Sequence, residues 1–304
     1  MTTTTPRPNR TTVRSLVTTA RLRALRIVFA TSERLLPAAG AALAERMWFT
    51  VPPLPGTASR EHPDLPPYER LTVDVGGQMV RGRSYGTGPT VLLVHGWGGW
   101  GMQLAAFVPP LTAAGYRVVT YDALSHGSSD PGPTGARHSS AMEFIAVLEA
   151  VGTAAGPPVG VVAHSLGAMA VAGAIKNGLE LERAVFLAPS QHPAHLTYYL
   201  GDLLGFGPRV RARLLDRVER NVGARLDDFD AAAVARSAST PPVLVIHDRD
   251  DGHTPHAGGV AIAEAWPDAM LISTEGLGHH RILRDPTVVR EAVEFIGTRV
   301  PAAP

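Results

Sequence analysis

Residues 161–168 read VVAHSLGA, and they join a short apolar run to a stretch of small residues with the composition of a helix. A strand that turns directly into a helix holds the residue at the turn, here Ser165, in a strained backbone geometry with its hydroxyl above the sheet. So tight a turn needs small residues two before and two after the serine, and Ala163 and Gly167 occupy those positions. By itself the stretch is equally compatible with a serine that caps an ordinary helix, so its interpretation depends on the rest of the chain.

Short apolar runs recur along the chain, each followed by a helical segment. Continuous apolar runs are typical of strands that are covered on both faces, as in a parallel sheet. They occupy residues 91–94, 117–121, 159–163, 184–187, 243–246 and 270–273. Before them, residues 71–75 alternate between apolar and polar, and Gly76-Gly77 supplies a turn into a second arm at 79–85. The pattern predicts an α/β fold with a doubly wound, mostly parallel eight-stranded sheet.

The residues before this pattern predict an N-terminal extension, 1–67, in three parts. Residues 1–14 are rich in Thr, Pro and Arg, a composition typical of disorder. Residues 15–48 carry apolar side chains at helical spacing with arginines between them, which predicts a basic amphipathic helix. Residues 51–67 are rich in proline and predict a linker. The main domain is therefore expected at 68–304.

About fifty residues, 190–241, separate two of the predicted strands, far more than one crossover helix needs. They include the basic amphipathic stretch 209–225. We interpret them as a small helical lid over the carboxyl edge of the sheet, where ligands bind in open α/β folds. The alternative is a surface insertion with no role in the site.

The composition argues against several classes of protein. The formal net charge is +1, so no overall field attracts nucleic acid or an acidic substrate. The chain has no cysteine, which excludes disulfides, thiolate zinc sites and a cysteine nucleophile. No apolar run approaches the roughly 18 residues of a membrane-spanning helix. We therefore expect a cytoplasmic protein, and the alternative is a weak peripheral membrane contact through the basic helix at 15–48.

A serine hydroxyl is a weak nucleophile near neutral pH, so it needs a histidine as base and a carboxylate to orient that histidine. The apolar run 243–246 leads into an acidic turn with three aspartates within 248–251. The last strand is followed by EGLGHH at 275–280, where glycines leave a histidine free to reach back over the sheet. The order Ser, Asp, His along the chain is the one that this topology imposes. The residues alone leave open which aspartate and which of the two histidines takes part.

Residues 68–299 resemble bacterial α/β-hydrolases of the esterase and lipase kind. The motifs that carry the resemblance are similar to the family's oxyanion loop, its D-x-x-G-H-G-x-S segment and its closing helix; they are VHGWGG at 94–99, YDALSHGSS at 121–129 and residues 286–296. Three residues depart from the family pattern, because Ala163, Ser125 and Asp248 stand where glycine is usual. The resemblance implies the α/β-hydrolase fold and a serine nucleophile at Ser165.

The resemblance also selects the acid. In the family it lies four residues after the histidine that ends the strand, here His247, and four before a proline, here Pro255. Both counts give Asp251, with Asp250 and Asp248 as the competing acids. Together with Ser165, Asp251 would form part of a catalytic triad.

By the same resemblance the histidine directly after Gly-x-Gly, His279, is the base, and His280 is a polar neighbour. An oxyanion hole needs two backbone N–H groups aimed at the charge that develops on the substrate carbonyl oxygen. One belongs to Leu166, the residue after the nucleophile, and the other is expected from Trp97 in the oxyanion loop.

The sequence gives weaker evidence about the residues that contact a substrate or a cofactor. Candidates to line an apolar acyl pocket are Trp97, Trp100, Met102, Tyr198 and Tyr199. Four side chains of the acidic turn are of types that can bind a divalent metal ion, namely Asp250, Asp251, His253 and His256. Their spacing matches no ligand motif, and the triad explains Asp251 better, so we expect no metal and no other cofactor.

These features predict a serine hydrolase that cleaves carboxylic esters through an acyl-enzyme intermediate. The expected partner is a small, apolar, uncharged ester and not a nucleic acid. The same triad also serves thioesterases, acyltransferases, C–C bond hydrolases and cofactor-free perhydrolases, and a non-catalytic binding protein can keep the fold. Because a fold does not fix a substrate, these alternatives stay open, as does the oligomeric state.

Overall fold

The structure is a computed structural model that describes residues 10–55 and 64–298. These residues form eight strands and ten α-helices, joined by loops and short 3-10 helices. The strands are β1 (Tyr68–Val75), β2 (Gln78–Tyr85), β3 (Thr90–Val94), β4 (Arg117–Asp122), β5 (Pro158–His164), β6 (Arg183–Leu187), β7 (Val243–Asp248) and β8 (Ala269–Thr274). The helices are α1 (Arg10–Leu35), α2 (Pro37–Trp48), α3 (Val108–Ala113), α4 (Ala141–Ala155), α5 (Leu166–Lys176), α6 (Pro193–Leu204), α7 (Pro208–Val222), α8 (His256–Ala265), α9 (Gly278–Arg281) and α10 (Pro286–Gly297).

All eight strands belong to one sheet, in the order β1-β2-β4-β3-β5-β6-β7-β8. Strand β2 runs antiparallel to β1 and β4, and the other neighbouring strands are parallel. The predicted doubly wound, mostly parallel eight-stranded sheet is therefore confirmed. From β3 the chain passes to β4 on one side and then to β5 on the other, so the strand order reverses beside β3. Ligand crevices in open α/β sheets form at the carboxyl ends of the strands at such a point.

The central strands carry continuous apolar side chains because helices cover both faces of the sheet. All five residues of β3 and all six of β7 are buried. At the sheet edge, β1 alternates instead, and Val73 is its one buried residue. Full burial of a single large apolar side chain such as Phe186 stabilises the fold by about 1.5–3 kcal/mol. The rigid strands of this core support the residues that follow β3, β5, β7 and β8.

The chain divides into two compact units. The helical unit comprises residues up to Trp48 together with Leu196–Gly223, and the sheet unit comprises the remainder. The sheet unit begins at Phe49, before the predicted Pro-rich linker, because Phe49 and Val51 are buried and the Val51 N–H donates to the Arg137 carbonyl at 2.8 Å. Residues 56–63 of that predicted linker lie outside the described part of the chain.

The helical unit brings the N-terminal helices together with α7 of the predicted insertion. Helix α1 begins at Arg10, inside the stretch predicted to be disordered, because no Gly or Pro interrupts residues 10–35; residues 1–9 of that predicted tail lie outside the described residues. The predicted single helix is two helices, since Pro37 disfavours helical backbone in the preceding residue and starts α2. A Cβ on Gly40 would lie 2.8 Å from the Ser32 Cβ and 2.9 Å from the Val210 Cγ2, so α2 packs closely on α1 and α7.

The insertion predicted at 190–241 is helical throughout much of its length. It contains α6, α7 and two 3-10 helices, Leu226–Phe229 and Ala233–Arg236. Helix α7 buries one apolar stripe, formed by Val210, Leu214 and Val218, and Arg209, Arg213 and Arg220 are exposed. Its placement as a lid over the sheet edge stays a prediction. Among the described residues, no helix has both the length and the apolar character that crossing a bilayer requires.

Candidate active site

Ser165 lies at the turn between β5 and α5, with φ +54° and ψ −119°, values that are strained for a residue with a Cβ. A Cβ on Gly167 would lie 2.6 Å from the carbonyl oxygen of His95 and 2.7 Å from that of Val94, so glycine is required at this position. Ala163 is fully buried between β3 and β6, and its methyl group fits within the sheet. The turn therefore has the geometry of a nucleophile elbow, which presents the serine hydroxyl above the sheet.

His279 lies on α9, and its ring reaches Ser165. The Ser165 hydroxyl donates to Nε2 of His279 at 3.1 Å. Gly276 and Gly278 have φ of +74° and +60°, left-handed values that let the loop turn back after β8. Nε2 of His164 donates to the backbone carbonyl of His279 at 3.0 Å. The residue next to the serine thus fixes the backbone of the base.

The third member of the arrangement is Asp251, whose side chain is completely buried. Nδ1 of His279 donates to its Oδ2 at 2.8 Å. Burial opposes ionisation of Asp251, but hydrogen bonds from the side chains of His247 and His279 outweigh burial and hold the pKa of this carboxyl well below its ordinary value. Its Oδ1 also accepts the N–H groups of His253 and Thr254, at 2.7 and 3.0 Å. A charged and immobile carboxylate can orient an imidazole and stabilise its cation.

The competing acids bind the loop that carries His279 rather than its ring. Oδ2 of Asp248 accepts the Thr274 hydroxyl at 2.7 Å and the Leu277 N–H at 2.9 Å. Oδ2 of Asp250 accepts the Gly276 N–H at 3.0 Å. Of the three predicted acids, Asp251 is the one that the structure brings to the imidazole. The other two hold the loop in the position that presents it.

Three further imidazole rings surround that of His279. The ring centroids of His164, His253 and His280 lie 4.6, 4.8 and 5.0 Å from it. Burial and repulsion from His279 lower the pKa of all three. They are therefore neutral near pH 7 and add no like charge when His279 accepts a proton. His280, the competing base, is exposed at the edge of this group.

Two residues that the sequence had not singled out as functional complete the surroundings of the acid. The Thr254 hydroxyl donates to Oδ2 of Asp251 at 2.9 Å, and Nε2 of His247 lies 3.4 Å from the same oxygen. Aspartate commonly accepts N–H groups two and three residues further on, so the turn from Asp251 to Thr254 could have been predicted. His247 carries no such signal, because it reaches the carboxylate only through the fold of the turn after β7.

The predicted oxyanion donors are Leu166, which directly follows the elbow serine, and Trp97, which lies in the loop after β3. Leu166 is the first residue of α5, so its N–H has no acceptor within the helix. A Cβ on Gly96 would lie 2.8 Å from the Ser165 Cβ, which shows how closely the loop after β3 approaches the serine. Within the described residues, no backbone carbonyl accepts the N–H of Leu166 or Trp97. Their role as donors to a substrate oxygen stays a prediction.

Two buried histidines hold the loop that contains Trp97. Nε2 of His95 accepts the Ala123 N–H at 2.9 Å, and its Nδ1 donates to the carbonyl of the next residue at 2.7 Å. Nε2 of His126 accepts the Gly98 N–H at 3.1 Å, and its Nδ1 donates to a carbonyl two residues earlier at 2.9 Å. Burial lowers the pKa of His95 and lowers that of His126 to about 3. Both rings are neutral, and their hydrogen bonds connect the loop after β3 to the loop after β4.

The structure places two of the predicted acyl-pocket residues elsewhere. Trp100 and Met102 line a cavity of about 540 Å³ beside β1 and β2 whose lining includes no triad residue. The lining also includes three arginines, Arg70, Arg81 and Arg83. The Tyr85 hydroxyl lies 3.3 Å from the Met102 sulfur, which packs against the core because the chain turns into a 3-10 helix at Gly101. An acyl pocket lined by Trp100 and Met102 therefore finds no support.

The remaining pocket candidates have other contacts. Tyr198 and Tyr199 lie on α6 in the helical unit, and the Arg211 guanidinium lies 4.0 Å from the centre of the exposed Tyr198 ring. The Trp97 ring packs on His126 and Phe144 with centroid distances of 5.6 and 6.3 Å. Contact of these side chains with an acyl chain stays a prediction.

The candidate metal ligands come together only in part. Asp251, His253 and His279 place one ligand atom each within 4.8 Å of one another, whereas Asp250 and His256 bind other partners. Both carboxylate oxygens of Asp251 already accept hydrogen bonds, and His279 shares its two ring nitrogens with Asp251 and the serine. This donor set fits an arrangement for proton transfer better than a metal centre.

Comparison with known protein families gives a match that covers the candidate site. Residues 91–292, about two thirds of the chain, match the model of a family described as "Alpha/beta hydrolase family". The matched range runs from β3 into α10 and contains the serine, the aspartate and the histidine described above. No curated protein matches the chain.

Solved structures of the same fold align with about three quarters of the chain. A meta-cleavage product hydrolase from Pseudomonas fluorescens has a TM-score of 0.58 at 18% identity, over 74% of this chain and 96% of that chain. Est1E from Butyrivibrio proteoclasticus, with ferulic acid bound, has a TM-score of 0.56 at 18% identity, over 75% and 100%. A bromoperoxidase from Bacillus anthracis has a TM-score of 0.56 at 21% identity, over 75% and 99%. At these identities the likeness shows the fold and leaves the reaction open.

Proposed function

Because the chain belongs to the alpha/beta hydrolase family, we propose that it is a serine hydrolase that cleaves carboxylic esters through an acyl-enzyme intermediate. The observation that carries the proposal is the position of the His279 ring, with one nitrogen 3.1 Å from the Ser165 hydroxyl and the other 2.8 Å from Asp251. A serine becomes an effective nucleophile when a base accepts its proton and a carboxylate orients that base.

In the proposed reaction, Ser165 Oγ forms a bond to the ester carbonyl carbon while its proton passes to Nε2 of His279. The charge on the carbonyl oxygen is stabilised by the N–H groups of Trp97 and Leu166. When this intermediate collapses, the ester C–O bond breaks and the leaving alcohol takes the proton from His279. Water then attacks the acyl-enzyme with His279 again as base, which releases the acid and regenerates the serine. Asp251 keeps the imidazole in the required tautomer throughout.

The strained elbow and the surrounding neutral rings support this assignment. A serine that only caps a helix has ordinary extended backbone, whereas Ser165 has a positive φ of 54°. The neighbouring histidines have lowered pKa values, so the imidazolium of His279 meets no fixed positive charge from them. We expect uncharged esters of short or medium acyl chain as substrates.

A fluorophosphonate probe tests the nucleophile directly. It should label the wild-type protein, and Ser165→Ala should abolish labelling. Ser190→Ala is the matched control, because Ser190 is buried nearby and its N–H donates to the Ser165 carbonyl at 3.1 Å; labelling should persist in this variant. Labelling that survives Ser165→Ala would contradict the assignment of Ser165.

A substrate series tests the reaction. Rates on p-nitrophenyl esters of increasing acyl length, on an acyl-thioester, on a β-diketone and on an ester with added hydrogen peroxide separate the reactions that the same triad can perform. The proposal expects the highest kcat/KM on one of the simple esters. A flat, near-zero ester profile with turnover of the thioester or the β-diketone would replace ester hydrolysis with that reaction, and no turnover with retained labelling would favour acyl transfer.

A further inference from the structure

The net charge of +1 is the sum of a strongly positive helical unit and a strongly negative sheet unit. The helical unit, residues 1–48 and 196–223, contains 13 arginines and five acidic residues, which gives a net charge of +8. The remainder of the chain contains 15 basic and 22 acidic residues, which gives −7. The chain as a whole has no strong field, but the helical unit has a local positive charge that can attract an anionic partner, since local charge sets the local potential.

Helix α1 has an exposed apolar stripe as well as a buried one. Leu25 and Phe29 face inward, and the Phe29 ring lies 5.3 Å from that of Phe206 in the same unit. On the opposite side, positions 20, 24, 27, 28, 31 and 35 fall within an arc of about 100° at helical spacing. Three of them carry large apolar side chains that are 69%, 47% and 73% exposed, namely Ile27, Val28 and Leu35.

Exposed apolar surface is concentrated in this unit. In the part of the chain that the structure describes, eleven large apolar side chains are exposed, and six of them belong to the helical unit, which holds about a quarter of the residues; the six are Ile27, Val28, Leu35, Leu36, Tyr198 and Leu203. Arginines flank the α1 stripe on both sides, with Arg21 on one side and Arg23 and Arg34 on the other. An apolar stripe between cationic side chains is the pattern of helices that lie in a membrane interface.

We propose that the helical unit binds the surface of an anionic lipid bilayer, with the α1 stripe of Ile27, Val28 and Leu35 inserted among the acyl chains. Each arginine close to an anionic membrane adds to the attraction, while the stripe supplies burial of apolar area. The charge of +8 also argues against a second copy of the chain as the partner, because a two-fold interface would place this cationic surface against itself. Nucleic acid would match the charge but would leave the apolar stripe uncovered.

Vesicle co-sedimentation of the full chain tests the proposal. The probes are vesicles of phosphatidylcholine alone and of phosphatidylcholine with phosphatidylglycerol, at low salt and at 1 M NaCl, where the Debye length falls to about 3 Å. We expect binding to the anionic vesicles at low salt and its loss on neutral vesicles or at high salt. Val28→Gln with Leu35→Gln should weaken binding at least about tenfold. The matched control is Met142→Gln with Met270→Gln, two exposed apolar residues of the sheet unit, and it should bind as wild type does.

A charge series completes the test. Replacing Arg21, Arg23 and Arg34 with Gln should weaken vesicle binding by about 100-fold, whereas the same change at three exposed arginines of the sheet unit should have little effect; these are Arg70, Arg236 and Arg284. Failure to bind anionic vesicles would overturn the proposal. The proposal would also be overturned if the chain bound a DNA duplex as tightly as vesicles and kept that affinity after Val28→Gln with Leu35→Gln. A dimer in light scattering that these two changes dissociate would overturn it as well. Unchanged thermal unfolding of each variant shows that it is folded, and fluorophosphonate labelling reports separately on the proposed hydrolase activity.

Discussion

The acid of the proposed triad is the carboxylate that reaches the imidazole, and three aspartates within four residues compete for that role. Asp251 accepts the Nδ1–H of His279 at 2.8 Å, while Asp250 accepts a backbone N–H of the preceding loop at 3.0 Å. In the proposed mechanism, the charge of Asp251 stabilises the cation that forms on His279, and its hydrogen bond selects the tautomer with a free Nε2. Asp250 contributes to loop position and has no means of doing either.

Asp251→Asn should therefore lower kcat by about 10⁴-fold with little change in KM. The amide can donate to Nδ1 of His279, which moves the ring proton to Nε2 and leaves no acceptor for the Ser165 hydroxyl. Asp250→Asn is the matched control and should cost less than about tenfold, because an amide oxygen can still accept the loop N–H. Steady-state kinetics on the best ester decide between them. If Asp250→Asn proved the more damaging change, Asp251 would not be the acid.

For the candidate site, the sequence could predict which residue types take part and their order along the chain, but not all of their contacts. The elbow follows from a tight turn that needs glycine at position 167, and the carbonyl contacts of that position explain the requirement. Thr254 and His247 both touch Asp251. Aspartate favours the turn that brings Thr254 to Asp251, whereas the contact of His247 depends on how the turn after β7 closes on itself. Trp100 and Met102 were predicted at the substrate and lie at another cavity, since a residue type that suits a pocket also suits a core.

Among the elements, the strands were predictable to within a few residues because continuous apolar runs are direct evidence of burial on both faces. The association of α1 and α2 with α7 was not predictable, because these segments lie more than 150 positions apart and each reads on its own as an amphipathic helix. The contact that joins them is specific. The Glu33 carboxylate of α1 accepts the N–H groups of Gly207, Arg209 and Val210 at 3.0, 2.8 and 3.0 Å, which are orphan donors at the start of α7.

Glu33→Gln should destabilise the helical unit by about 1–2 kcal/mol. Burial raises the pKa of Glu33, but the three backbone hydrogen bonds outweigh it and the pKa is lowered, so the carboxylate is the form that caps α7. The amide keeps one acceptor and loses the charge that favours a helix N-terminus. Hydrogen exchange of the α7 amides measures the effect, with Glu45→Gln as a control that removes an ion pair to Arg217 without touching the cap. Equal protection in wild type and Glu33→Gln would show that the cap contributes nothing.

At the scale of the whole molecule, buried histidines link stability to pH. His95, His126 and His164 are almost fully buried, and burial is the main reason that the pKa of each is lowered, to about 3 for His126. For His95 and His126 the backbone N–H groups that point at Nε2 leave no place for a second proton. Unfolding releases all three to their ordinary pKa near 6.5. The unfolded chain therefore binds protons below pH 6.5 that the folded chain cannot bind, and the stability present above pH 6.5 is lost as the pH falls.

The free energy of unfolding should fall between pH 7 and pH 5.5, and His126, whose pKa is lowered to about 3, should account for about 1.2 kcal/mol of that fall. The carboxylates of the unfolded chain stay largely ionised across this range, because their ordinary pKa values lie near 4. His126→Gln keeps an acceptor for the Gly98 N–H and removes one titrating group, and it should make the fall smaller by about 1.2 kcal/mol even if it lowers stability at every pH. Urea unfolding at half-unit intervals of pH measures both slopes. A wild-type stability that stays level from pH 7 to pH 5.5 would mean that these rings accept protons in the folded protein, which the two backbone donors at His95 and His126 oppose.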